Sequence, residues 1–176
     1  MGRRKVVLRR EYKELKKGRM GAQERGRRLE GIAYELLESE LLESESLRPW
    51  RNTRPPGEEI DISFTDGQRH FLLEARWRER VSVADVFAFR GKLEGKLAGT
   101  LGVFLYIGAE FSKGAIEALT WGKGINTLLF NEHDLDDALA PAHSFREVLD
   151  LKLRHAASYG QCHVTYRIIK DYWRNA

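Results

Sequence analysis

Glu59-Ile-Asp-Ile-Ser-Phe64, then Asp66-Gly67, then Arg69-His-Phe-Leu-Leu-Glu-Ala-Arg-Trp77 is the stretch that decides the fold. Its first run alternates polar and apolar residues with the period of two that a half-buried strand requires. Asp-Gly is a strong hairpin signal, because both residues tolerate the positive φ of a tight turn. The second run reads as the partner strand. With Asp66 and Gly67 at the tip, Glu59 is expected opposite Glu74 and Asp61 opposite Leu72. One face of the hairpin then carries Glu59, Asp61, Ser63, Leu72, Glu74 and Arg76. The other carries Ile60, Ile62, Phe64, Phe71, Leu73, Ala75 and Trp77.

In that pairing Asp61 and Glu74 are diagonal neighbours, with Cα atoms roughly 7–8 Å apart. Two carboxylates at this separation can converge on one divalent cation, and their hard oxygens suit Mg²⁺. Left uncompensated, each would raise the pKa of the other. A metal meets that need; so does Arg76, two residues beyond Glu74 on the same face. A solvated hairpin face with ordinary ion pairs is the plainer reading of the same residues.

Upstream, Leu29, Ile32, Ala33, Leu36 and Leu37 recur at helical spacing and predict an amphipathic helix. A strand-like stretch follows at Leu47–Thr53, stopped by Pro55-Pro56-Gly57. Downstream, Ser82-Val-Ala-Asp85 matches a capping box and opens a helix to about Leu97, with Val83, Val86, Phe87, Leu93 and Leu97 turned inward. Leu101–Ile107 is a continuous apolar run bounded by glycines, read as a buried parallel strand. A helix from Ser112, a strand at Ile125–Phe130 and a short helix at His133–Leu139 complete the pattern. Phe145–Ala157 reads as helical, while Gln161–Trp173 fits strand or helix. This order implies an α/β fold: a mixed sheet with helices on both faces.

The 176 residues suit one domain, divided by pattern into a basic N-terminal arm (1–26), an α/β core (27–140) and a C-terminal extension (141–176). Within residues 1–28, twelve Lys and Arg outnumber Glu11, Glu14 and Glu24 by nine, whereas the remainder carries 18 basic and 23 acidic residues. A basic arm on a mildly acidic body suits a polyanion partner, and a solvated helix or frayed terminus reads equally well. Nucleic acid is favoured over membrane because the arm is expected to lack a substantial apolar face. Glycines at 18, 21 and 26 leave its order open. No apolar run approaches the roughly 20 residues of a membrane span, and no secretory h-region opens the chain. Cys162 is alone and reads as a small buried hydrophobe. A cytoplasmic location is expected. Gly91-Lys-Leu-Glu-Gly-Lys-Leu97 is not a phosphate loop: its glycine spacing is one short and it lies within a predicted helix.

An acidic residue on the first helix (Glu30), then Asp61, then Glu74-Ala75-Arg76 resembles the PD-(D/E)xK restriction-endonuclease-like superfamily. Val83 to Leu93 and Gly102 to Ile116 are similar to its Mrr-like branch, and the likeness covers roughly residues 26–137. The resemblance implies a restriction-endonuclease-like sheet and Mg²⁺-dependent cleavage of DNA, with Mn²⁺ as a substitute, in defence against foreign or modified DNA. By the same resemblance, Asp61 and Glu74 are metal ligands, the Ala75 carbonyl is a third, and Glu30 is the helix acid beside the metal. Arg76 stands where the family has lysine. Arginine stays protonated, so it can clamp a phosphate or steer water but cannot act as a base. It can also bridge Asp61 and Glu74 in the metal's place, which opens a second reading: a catalytically inactive nuclease fold serving as a DNA-binding or assembly subunit. A third is a Holliday-junction-resolvase-like enzyme. Expected DNA contacts are Arg3, Arg4, Lys5, Arg9, Arg10, Arg27 and Arg28, with Lys92 and Lys96 facing the backbone of the substrate. Enzymes of this fold often dimerise to cut both strands, so a homodimer or a partner subunit is expected.

Overall fold

The computed structural model describes residues 2–41, 47–55, 58–108, 111–120 and 125–175. The ends of the acidic stretch after Leu41, the Pro56-Gly57 stop and the predicted helix end near residues 122 and 124 lie outside the described residues. Two helices, α1 (Gly2–Lys16) and α2 (Ala22–Leu41), precede three strands, β1 (Trp50–Thr53), β2 (Ile60–Thr65) and β3 (His70–Trp77). Then follow α3 (Val83–Glu94), β4 (Leu101–Ile107), α4 (Lys113–Thr120) and β5 (Thr127–Phe130). Helices α5 (Glu132–Ala138), α6 (Phe145–Tyr159) and α7 (Tyr166–Asn175) end the chain, so the tail that fitted either strand or helix is a helix.

The strands form one sheet in the order β1-β2-β3-β4-β5. The first three are antiparallel, and β3-β4 and β4-β5 are parallel, so the sheet is mixed, as expected. Parallel neighbours need a crossover, which α3 and α4 supply. One face packs on α1, α2 and α6: Tyr12 meets the Trp77 ring, and Phe145 meets Phe64 and Phe130. The other lies under α3, where Phe89 packs on Phe104 and, with Leu93, fills the space beside Gly102. Any Cβ at Gly102 would stand 2.6 Å from Leu93.

The hairpin closes differently from the expected two-residue turn. Ser63 pairs with Leu72 and Thr65 with His70, leaving Asp66–Arg69 as a four-residue loop. Its cause is the Asp66 carboxylate, which accepts the amides of Gln68 at 2.9 Å and Arg69 at 2.7 Å and so stabilises a wider turn. The register therefore slips by two. An even slip keeps every side chain on its face, but it sets Asp61 directly opposite Glu74 rather than diagonal to it.

The capping box at Ser82 forms as read: its hydroxyl accepts the Asp85 amide, and the Asp85 carboxylate accepts the Ser82 amide. The inward face of α3 is rotated, however. Val86, Phe89, Arg90 and Leu93 are buried, whereas Val83, Phe87 and Leu97 are exposed. Once Val86 anchors the helix, positions three, four and seven residues on share its face, which selects Phe89 and Arg90 over Phe87.

The largest correction concerns the basic arm. Residues 2–16 are helical, and Leu8, Tyr12 and Leu15 are buried in the same core as Ile62, Phe104 and Tyr166. Their spacing of four and then three residues is an apolar face the charge count obscures. Phe145, Val148 and Leu149 of the C-terminal segment belong to that core too. Neither segment is an appendage. Among the described residues, no helix is long and apolar enough to cross a membrane.

Candidate active site

Antiparallel pairing of β2 and β3 brings Asp61 and Glu74 face to face, each with a side chain only 9% exposed. The Ala75 amide donates to Asp61 Oδ2 at 3.0 Å. Arg76, next but one along β3, folds its guanidinium back between them. Its Nη1 lies 3.3 Å from Asp61 Oδ2 and 3.3 Å from the Ala75 carbonyl, and its Nη2 lies 2.5 Å from Glu74 Oε1. The three oxygens expected to hold a metal thus converge on one cation, and that cation is Arg76.

A second cation arrives from α3. Lys92 Nζ donates to Glu74 Oε2 at 2.6 Å and to the Glu59 carbonyl at 2.8 Å. Sequence reasoning placed Lys92 among the backbone contacts; the structure sets it in the carboxylate centre. Two buried carboxylates are matched by two cations, which offsets their desolvation. Burial still dominates at Asp61 and raises its pKa; the Ala75 amide and Arg76 pull it down, and Glu74 pushes it up.

Glu30 of α2 lines the same cleft. Burial first, then the charge of Asp61, raises its pKa, against the lowering influence of Arg51 and Arg76. The cleft has a volume of about 640 Å³ and lies between α2, β1 and the ends of β2 and β3. Its cationic wall is Arg27, Arg51, Arg54, Arg76, Arg78 and Lys92. Asp61, Glu74 and Arg76, which the strand spacing put on one face, therefore meet in one place with Ala75 and Glu30, which only the resemblance had brought to the site. Arg51, Arg54 and Arg78 were missed. The signal was present in Arg48, Arg51 and Arg54, an arginine at every third position just before the carboxylate hairpin.

The α1 cations are placed otherwise. Lys5 is buried, 2.9 Å from Glu40 Oε1 and donating to the His143 carbonyl, which turns its charge inward and away from any phosphate. Arg4 pairs with Glu38 at 2.8 Å, Arg28 with Glu11 at 3.4 Å, and Lys96 with Glu58. Arg3, Arg9 and Arg10 do not line the cleft; Arg27 does.

No family model matches the chain, and no curated protein and no solved structure is similar to it at a significant level. The site is therefore judged on its own chemistry. Among the described residues, no three His, Cys, Asp or Glu side chains are grouped to hold a metal by themselves. The available donors are two carboxylates and one carbonyl, all oxygen and already gathered about a positive charge. That set fits a hard divalent cation that keeps several waters, on condition that Arg76 turns away.

Proposed function

We propose that this protein is a DNA endonuclease that hydrolyses phosphodiester bonds at the Asp61–Glu74 centre with a divalent cation, Mg²⁺ by preference and Mn²⁺ in its place. One observation carries the reading: Asp61, Glu74 and the Ala75 carbonyl converge on a single cation at the floor of an arginine-walled cleft. The likeness of Glu30, Asp61 and Glu74-Ala75-Arg76 to the PD-(D/E)xK arrangement supports it as well.

Asp61, Glu74 and the Ala75 carbonyl would hold the cation, with Glu30 beside them. Bound there, it would supply a polarised phosphate and an attacking water of lowered pKa. The chain's own residues do the rest. Arg76, released from the carboxylates, faces a phosphate that is gaining charge and offsets it. Lys92 keeps Glu74 oriented and adds a second positive charge to the centre.

The test is cleavage of supercoiled and linear DNA in Mg²⁺, Mn²⁺ or EDTA. Wild type should cut only with a cation, and Asp61→Asn and Glu74→Gln should each lose activity by at least about a hundredfold. Lys92→Gln is expected to fall similarly while still binding DNA. Cutting that survives in EDTA, or in both carboxamide variants, would sink the assignment. The occupation of the centre by Arg76 favours one other reading, a DNA-binding subunit without catalysis. Under it, wild type never cuts and Arg76→Lys does.

A further inference from the structure

The wall of the cleft holds two cations whose pairing differs from that of the others. Arg54 pairs with Glu59 at 3.3 Å and Arg78 with Asp85 at 3.3 Å, while Arg76 and Lys92 are engaged by the carboxylate centre. Arg27 and Arg51 have no carboxylate within ion-pair distance among the described residues, and both are solvent-exposed. An unpaired exposed arginine is ordinary by itself. These two, however, line the same cleft as Glu30, Arg27 one turn before it on α2 and Arg51 on β1.

Arg51 is also held in place without an anion. Its guanidinium carbon lies 5.9 Å from the centroid of the Tyr34 ring, and its Nη2 rests against α2 at Gly31. Cation–π contact of this kind fixes a guanidinium while leaving its donors in the plane open. The charge of Arg51 acts on Glu30, so it lies within electrostatic reach of the carboxylate centre. A fixed, open fork beside a site for phosphodiester chemistry is built for bidentate phosphate binding.

We propose that Arg27 and Arg51 form a phosphate clamp that binds the DNA backbone within the cleft, and that this clamp, rather than α1, is the main nucleic-acid contact of the protein. The proposal rests on the reading of the cleft as a phosphodiester site. It moves the binding surface from α1 to the cleft between α2 and β1. Two observations favour the cleft: Arg4, Lys5, Lys16 and Lys17 of the N-terminal segment already hold carboxylates of the protein itself, and the remaining α1 cations Arg3, Arg9, Arg10 and Lys13 do not line it.

Binding separates this claim from catalysis. Affinity for a fluorescent duplex of 20 base pairs is measured by anisotropy in EDTA, over a range of salt concentrations, with cleavage assayed separately. Arg27→Ala and Arg51→Ala should each weaken binding by about tenfold and lower the salt slope by about one. Arg3→Ala and Arg10→Ala should leave both unchanged. Circular dichroism of each variant checks that the exposed substitutions leave the fold intact. The clamp is refuted if the two cleft variants bind like wild type, if the α1 variants carry the loss instead, or if wild type does not bind the duplex. Those results stand whether or not the protein cuts, so the failure of the clamp and the failure of the nuclease reading are told apart.

Discussion

Arg76 is the residue on which the chemistry of the centre turns. Its guanidinium touches Asp61, Glu74 and the Ala75 carbonyl at once, so a divalent cation and this side chain compete for the same three oxygens. Replacing it with alanine leaves two buried carboxylates short of a counter-charge, at a cost of about 2–3 kcal/mol. In a chain of this size that lowers Tm by roughly 4–10 °C. Because the oxygens are then free, millimolar Mg²⁺ or Mn²⁺ should raise the Tm of Arg76→Ala more than that of wild type. Thermal melts with and without the cation check this. Equal responses in the two proteins would mean that Arg76 and the metal do not share ligands.

At the scale of the element, the β2–β3 hairpin owes its register to one carboxylate. Burial would raise the pKa of Asp66, but the amides of Arg69 and Gln68 and the Arg69 side chain outweigh it and lower the pKa below the usual range. A carboxylate with a lowered native pKa binds fewer protons folded than unfolded, so it stabilises the fold above its unfolded pKa near about 4. That contribution fades as pH falls through the lowered native value. Urea denaturation should find Asp66→Ala destabilised at neutral pH, with the gap to wild type narrowing steadily in acid below about pH 4. A gap that stays constant into strong acid would show that the charged loop does not set the turn. Asp85, whose pKa is lowered first by the Ser82 hydroxyl, adds to the same acid limb.

Over the whole molecule, the outcome of interest is that the most basic segment is structural. Tyr12 is fully buried, stacks obliquely on Trp77 at 6.1 Å between centroids, and ties α1 to the sheet. Tyr12→Ala should cost about 3–5 kcal/mol, as large-to-small core changes do. The Tyr12 hydroxyl is buried without a hydrogen-bond partner among the described residues, and burial raises its pKa strongly. Tyr12→Phe should therefore be neutral or slightly stabilising, since it removes an unsatisfied polar group and keeps the ring. Chemical denaturation of the pair distinguishes a docked helix from a loose arm. A loose arm would show no effect in either variant.

Alternation in Glu59–Phe64 and His70–Trp77 was enough to place Asp61, Glu74 and Arg76 on one face, because the period of a strand is local and survives an even slip in register. The largely apolar runs at Leu101–Ile107 and Ile125–Phe130 identified two buried strands, because a strand covered on both faces has no polar side to alternate with. What the sequence could not settle depends on residues far apart in the chain. The carboxylate of Asp66 widened the turn and made Asp61 and Glu74 direct partners. Lys92 joined Glu74 across 18 positions because α3 crosses over that face of the sheet. Arg51 reached the cleft through the pairing of β1 with β2, and Leu8, Tyr12 and Leu15 found their partners in elements that only the folded chain brings near. Local periodicity fixes which way a side chain points; tertiary packing alone decides what it meets.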